Sequence, residues 1–227
     1  MRAPIPILFE DEQLLVADKP AGLLTVAGDG PSLETRLAEQ GVVARAVHRL
    51  DRDVSGCVLC VKDPALRPAL EDLFRERALA KTYWALAQGS LAKDAGEWSF
   101  PILEERGQAR VSARGRPART RWRVLARFAH ATELEIDLVT GRYNQIRVHS
   151  SHAGHPLVGE RKYAEGKRDP LRAGRLALHA WRLAFPHPTS GEPLAVEAPL
   201  PSELARLREE AERGQRARKP PFASPGS

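Results

Sequence analysis

Runs of apolar residues broken by short polar turns open the chain. Ile5 to Pro20 read as two short strands, Ile7 to Phe9 and Leu14 to Asp18, joined by the polar turn Glu10 to Gln13. Gly22, Gly28 and Gly30 make a loop, after which Ser32 can cap a short helix with Leu33 and Leu37 on its buried face and Gly41 at its end. A polar segment from His48 to Gly56 precedes the apolar strand Cys57 to Val61. Asp63 and Pro64 then open an amphipathic helix in which Leu66, Leu70, Leu73 and Phe74 recur at helical spacing, up to about Arg77. From Lys81 the period becomes two. Tyr83, Ala85 and Ala87 alternate with Trp84 and Leu86, and later Leu134, Ile136 and Leu138 alternate with Glu133, Glu135 and Asp137. The Thr140-Gly141 turn leads to a short helix over 143–153 that ends at Gly154. Residues 176–186 and 194–198 read as further strands, and Ser202 can cap a last helix over Leu204, Leu207 and Ala211. Strands outnumber helices and do not interleave with them regularly, which predicts an α+β fold with a mixed, mainly antiparallel sheet flanked by helices and loops.

No internal repeat or linker interrupts residues 1–213, so one domain is expected there, followed by a basic, Pro- and Gly-rich tail at 214–227 that is expected to be disordered. A chain of 227 residues can bury a sizeable core. No apolar run reaches the ~18 residues that span a bilayer, and Glu10, Asp11 and Glu12 interrupt any signal sequence, which argues against export or membrane insertion. Two cysteines cannot form a disulfide framework, so a cytoplasmic location is expected. The net charge of +6 favours a polyanionic partner. Arginine abundance by itself is weak support, since a GC-rich genome would also produce it. Its distribution is more informative: Arg106, Arg110, Arg114, Arg116, Arg119, Arg121, Arg123 and Arg127 follow one another with no acid between them, and this stretch is expected to touch phosphates.

A zinc site built from Cys57, Cys60, His149, His152 and His155 is disfavoured. A separation of three in a strand sends the two sulfurs to opposite faces, and the same geometry opposes a redox pair. No GxGxxG or P-loop pattern lies between a strand and a helix. Two polar clusters remain. In the segment His48 to Gly56, Asp51 stands between Arg49 and Arg52, and flanking cations should favour its ionised form, ready to act as nucleophile or base. The competing reading is an exposed ion pair of no consequence. The segment Thr140 to His149 places Arg142, Gln145, Arg147 and His149 at a strand-to-helix junction, where free N–H groups attract phosphate.

Together HRLDRDVSG, KTY (Lys81 to Tyr83), TGRYNQIRVH, GHPLVGERKY and LALHAWRLAFPHP resemble the RluA-type family of RNA pseudouridine synthases in order and spacing. The opening ILFEDEQLLVADKPAGLLTVAG is similar to the start of that family's catalytic domain. The resemblance runs from residue 5 to about 200. It implies an α+β fold with a central RNA-binding cleft, and isomerisation of uridine to pseudouridine in ribosomal or transfer RNA without metal or cofactor. A monomer with no obligatory protein partner is expected. Because the chain begins directly at the catalytic domain, target choice is expected to rest with that domain.

The resemblance also implies roles. Asp51 matches the catalytic carboxylate, Arg147 the arginine that pairs with it and lowers its pKa, and Tyr83 the tyrosine that stacks on the base and serves proton transfer at C5. Leu178 matches an apolar position of the uracil pocket, and Arg49 one whose side chain enters the RNA stack. Arg52, Lys81, Arg114, Arg116, Arg142 and Gln145 complete the expected RNA contacts. Two positions depart from the pattern: Val54 stands where the family usually has Thr, and Asn144 where it usually has His. Neither His149 nor His179 is expected to be catalytic. The alternatives are an RNA-binding protein of the same fold that has lost the reaction, and a metal-dependent hydrolase.

Overall fold

A computed structural model describes residues 3–76, 78–164, 166 and 169–216. The entry hairpin, β1 (Ile7–Glu10) and β2 (Leu14–Lys19), turns at Asp11, whose carboxylate accepts the N–H groups of Gln13 and Leu14 at 2.7 and 2.8 Å. In α1 (Leu33–Glu39), Ser32 caps as expected and exchanges hydrogen bonds with Thr35, a capping box that satisfies two free backbone donors. A two-residue strand, β3 (Arg45–Ala46), precedes β4 (Ser55–Val61). The expected helix after Asp63 divides into a 3-10 turn (Pro64–Leu66), capped by Asp63, and α2 (Arg67–Arg75); Arg77 lies outside the described residues.

The long strand β5 (Ala80–Gln88) is followed by β6 (Ala95–Trp98), a hairpin of β7 (Ile102–Glu105) and β8 (Gln108–Val111), β9 (Thr120–Arg127) and β10 (Ala131–Leu138). Then come α3 (Gln145–His152), β11 (Leu178–Pro186), β12 (Pro193–Glu197) and α4 (Ser202–Arg216). The strands of the main sheet run β1-β2-β4-β11-β5-β10-β9-β6, with β3 beside β4 and β12 beside β11. Its pairs are antiparallel except β4 with β11, which touch in parallel only where Ser55 and Gly56 meet His179 and Ala180. Beyond that junction β12 takes over the edge of β11, from Arg182 to Pro186.

Alternation along the strands sorts the core. Leu15, Ala17, Val58, Cys60, Tyr83, Ala85, Leu134 and Ile136 face one side with α1, while Leu14, Val16, Cys57, Leu59 and Phe185 face α2 on the other. Cys57 and Cys60 therefore point to opposite faces, as their spacing predicts. Helix α4 lays Leu204, Leu207 and Ala211 against Trp84, Leu86 and Phe128. Two boundaries differ from expectation. The first bonds of α4 go to the Pro201 carbonyl, so Ser202 is its first residue and not its cap. The helix also continues through Gly214 to Arg216, where the tail was expected to have begun; residues 217–227 lie outside the described residues.

Candidate active site

The loop that carries Asp51 is fastened from beneath by a lysine. Lys19, at the end of β2, is fully buried, and its Nζ donates to the carbonyls of Pro20 at 3.0 Å, Leu23 at 2.7 Å and Arg52 at 3.4 Å. An ammonium without solvent needs such acceptors. Burial pulls its pKa down to about 8, while Asp51, Asp53 and Asp18 favour the charge. The N–H of Gly22 donates to the Arg52 carbonyl at 2.7 Å. Thr25 Oγ1 accepts from the N–H of Leu50 at 3.0 Å and donates to the Leu50 carbonyl at 2.9 Å. Val54 is 2% exposed and packs in the core, with its N–H on the Asp51 carbonyl at 3.1 Å. At this position the apolar side chain holds the loop by packing.

Asp51 comes to rest with its side chain 21% exposed and its Oδ2 3.9 Å from Nη1 of Arg147. The expected pairing is present, yet it is not Arg147's main contact. Nε and Nη2 of Arg147 grip Glu160 in a fork at 2.7 and 2.8 Å, and the Glu160 carboxylate is itself fully buried. Backbone N–H groups of Lys162 and Tyr163 also donate to Glu160, at 2.7 and 3.2 Å. Arg147 lies over the ring of Tyr163, 5.4 Å from its centroid. The expected charge balance is corrected here: burial raises the Asp51 carboxyl above the ordinary value, and Arg147, Arg49 and Lys19 only partly oppose it. A guanidinium already neutralised by Glu160, at 3.9 Å, cannot overcome desolvation.

Asn144 completes the surround of Asp51. With its amide nitrogen turned to the carboxylate it donates to Oδ2 and Oδ1 at 2.6 and 3.1 Å, and its oxygen accepts from the Tyr163 hydroxyl at 2.7 Å. Across the junction of β4 and β11, Tyr83 and Leu178 belong to the same buried cluster, 6% and 3% exposed, with Leu178 opposite Ala85, two residues along β5 from Tyr83. Burial raises the Tyr83 phenol, and the charge of Asp51 raises it further, so the two groups share one electrostatic environment.

The expected RNA contacts divide. Arg49 is exposed and near enough to act on Asp51. Arg52 is exposed but folds back onto its own loop, Nε donating to the Gly22 carbonyl at 3.1 Å. Arg142 likewise donates to the Pro117 carbonyl at 3.1 Å, and Lys81 sits 5.1 Å above the Phe74 ring, its ammonium pKa lowered by burial. Gln145 is a correction. It is 3% exposed, its oxygen accepts from Thr140 and from the N–H of Arg142, and its nitrogen donates to Arg119 and Thr120, so no group is left for RNA. Arg114 and Arg116 are both exposed, and Arg116 lies 3.5 Å from Glu104. Much of the remaining basic stretch is paired, Arg119 and Arg121 with Glu97 and Arg123 with Glu135 on neighbouring strands, and Arg127 with Asp94 just before β6.

Three histidines are held by the fold: His48, half-buried, accepts from the N–H of Leu59, buried His149 contacts Thr120 and the Phe100 carbonyl, and buried His179 contacts Ser55. Among the described residues no group of three or more His, Cys, Asp or Glu is placed to hold a metal, and no helix is long and apolar enough to cross a membrane. A cavity of about 1000 Å³ adjoins the site, bounded by Arg147, Asp18, Asp53, Ser55 and Arg175. Asp51 and Tyr83 lie outside its lining. Lys19, Glu160 and Tyr163 are the residues that sequence reasoning missed. Lys19 and Glu160 carried one available signal each: a lysine closing an apolar strand, and an acid within GHPLVGERKY.

The half-buried carboxylate of Asp51, carried on the loop that leads into β4, is thus met by a guanidinium and an amide and shares its electrostatic surroundings with a tyrosine phenol. Residues 13–152 match the family model described as RNA pseudouridylate synthase, and the chain belongs to that family. It is 40% identical over 222 residues to a protein of Nitrosomonas europaea named ribosomal large subunit pseudouridine synthase D, covering 90% of this chain and 64% of that one. It is 38% identical over 212 residues to ribosomal large subunit pseudouridine synthase C of Yersinia pestis, covering 87% and 66%. The chain thus spans just under two thirds of the length of these relatives. The solved structure titled Human RNA Pseudouridylate Synthase Domain Containing 4 superposes with a TM-score of 0.77 at 25% identity, covering 90% of this chain and 92% of that one. These matches bear out the RluA-type resemblance and the fold it implies.

Proposed function

We propose that the protein is an RNA pseudouridine synthase that isomerises specific uridines of ribosomal RNA, with Asp51 as the catalytic carboxylate. The observation that carries this reading is the surround of Asp51, a carboxylate kept half-buried between the Asn144 amide and the free nitrogen of an otherwise committed Arg147. The reaction breaks the bond from ribose C1′ to uracil N1, joins C1′ to C5, releases the C5 proton and protonates N1. No electrons are transferred to or from another molecule. A carboxylate at the sugar serves this by adding to C1′ or by taking the C2′ proton, and either route needs its ionised form. Burial that raises its pKa also makes it the stronger base and nucleophile.

Tyr83 and Leu178 would take the flipped uracil between them, Tyr83 stacking on the ring and standing at C5 for proton transfer. A uridine in a paired or stacked RNA must leave the stack at a cost of a few kcal/mol. Exposed Arg49, beside Asp51, is the guanidinium placed to fill the gap by stacking on bases. Ribosomal RNA is favoured over transfer RNA because the relatives from Nitrosomonas europaea and Yersinia pestis carry ribosomal names.

Mapping pseudouridines in total RNA by carbodiimide-dependent primer extension, with and without the gene, tests this. At least one ribosomal position should lose its stop on deletion and regain it on complementation. Identical maps, together with tight RNA binding by the purified protein, would support instead a binding protein that has lost the reaction.

A further inference from the structure

Asn144 sits at the first step of α3 in a left-handed backbone conformation, φ 52° and ψ 27°. A residue in that place normally spends its side chain on capping its own helix. Here it makes no capping hydrogen bond, is 6% exposed, and directs its whole amide away from the helix. Its nitrogen reaches both oxygens of Asp51, and its oxygen receives the hydroxyl of Tyr163, which follows closely the loop that holds Glu160. Strained backbone retained at a polar site, with the local capping bond forgone, marks a side chain selected for what it reaches. Asparagine is among the few residues that tolerate this conformation.

We propose that Asn144 is a positioning residue for Asp51, its amide fixing the carboxylate's orientation and stabilising its charge while Tyr163 fixes the orientation of the amide. This rests on the reading of Asp51 as the catalytic group. The division of labour follows from distance: Arg147 stands 3.9 Å away with two nitrogens committed to Glu160, so the only close donor to Asp51 among the described side chains is Asn144. The charged groups that act on Asp51 are Arg147, Arg49 and Lys19, which favour ionisation, and Asp53, which opposes it. A hydrogen bond to the charged form adds to the first set, and its removal shifts the balance toward the acid.

The test is the single-turnover rate of pseudouridine formation against pH, at saturating enzyme, for Asn144→Gly and Tyr163→Phe. Glycine keeps the left-handed backbone and removes the amide, so the variant should fold, which thermal unfolding checks. The plateau rate should fall about tenfold or more, and the acid limb should move up by about one pH unit, with RNA affinity unchanged. Tyr163→Phe should move the limb in the same direction by less. Asn144→Asp, similar in shape and unable to donate when ionised, should move it furthest, through like-charge repulsion. A folded Asn144→Gly whose plateau and limb match the wild type would overturn the proposal, as would a uniform fall with the limb unmoved. Wild type that forms no pseudouridine on any ribosomal RNA would count against the catalytic reading itself, and so is distinguishable.

Discussion

Arg147 stands between two carboxylates and serves them unequally, forking onto buried Glu160 while leaving one nitrogen 3.9 Å from Asp51. Removing Arg147 alone would strand the Glu160 charge in the interior, which costs about 3–5 kcal/mol for a broken buried pair. The informative variant is therefore Arg147→Met combined with Glu160→Gln. Burial already raises Asp51 and Arg147 lowers it, so the double variant should raise it further. Turnover at neutral pH should drop, with partial recovery at higher pH; a pH profile that coincides with the wild type would show that Arg147 does not act on Asp51. At this scale the sequence singles out Asp51, Arg147 and Tyr83, because the stretches that resemble a family carry them. It did not reveal Glu160, since an ion pair between a helix and a loop 13 residues on leaves no periodic trace. The direction of the Asp51 shift was misread for a related reason. Neighbouring arginines are visible in a sequence, but the burial that outweighs them is a property of the packed loop.

The β4–β11 junction decides where these side chains meet. Gly56 lies in it with φ +115°, and a Cβ there would come within 2.2 Å of the Ala180 carbonyl oxygen. Backbone cannot yield as a side-chain end would, and the conformation is itself unfavourable for any other residue. Gly56→Ala should cost about 3 kcal/mol or more, measured by urea unfolding, and should depress activity through displacement of Ser55 and the Asp51 loop. Stability within 1 kcal/mol of wild type would mean the two strands can part without loss. β2, β4 and β5 are legible as apolar runs buried on both faces, β10 as an alternation of apolar and acidic residues, and α1 by its cap. The hairpin β7–β8 and strand β9 were not recognised. In β9 Trp122, Val124 and Ala126 do alternate with Arg121, Arg123 and Arg127, but in the sequence alone such a run of arginines reads equally as a phosphate-binding surface. What turns such a run into a strand is the row of acids on its neighbours, Glu97 on β6 and Glu135 on β10, far away in sequence.

Across the whole molecule that pairing limits how much of the +6 charge is free to meet RNA. Arg114 is exposed with no ion-pair partner among the described residues, whereas Arg123 holds Glu135 at 2.8 Å. Arg114→Ala should flatten the slope of log affinity against log salt by about 0.7, the contribution of one phosphate contact on single-stranded RNA, and Arg123→Ala should leave it unchanged. Equal slopes for all three proteins would remove Arg114 from the interface. The central claim, that an ionised Asp51 performs the chemistry, is tested most directly by Asp51→Asn, which preserves shape while removing charge and basicity. Because the folded pKa of Asp51 lies above its unfolded value, its contribution to stability is full at low pH and is lost as pH rises through the raised value. The Asn variant should therefore unfold at a higher temperature than wild type at pH 7, with the gap closing toward pH 4. Tritium release from ribosomal RNA labelled at uridine C5 should be absent with this folded, RNA-binding variant and present with wild type. Release at the wild-type rate by the folded variant would contradict the assignment of Asp51.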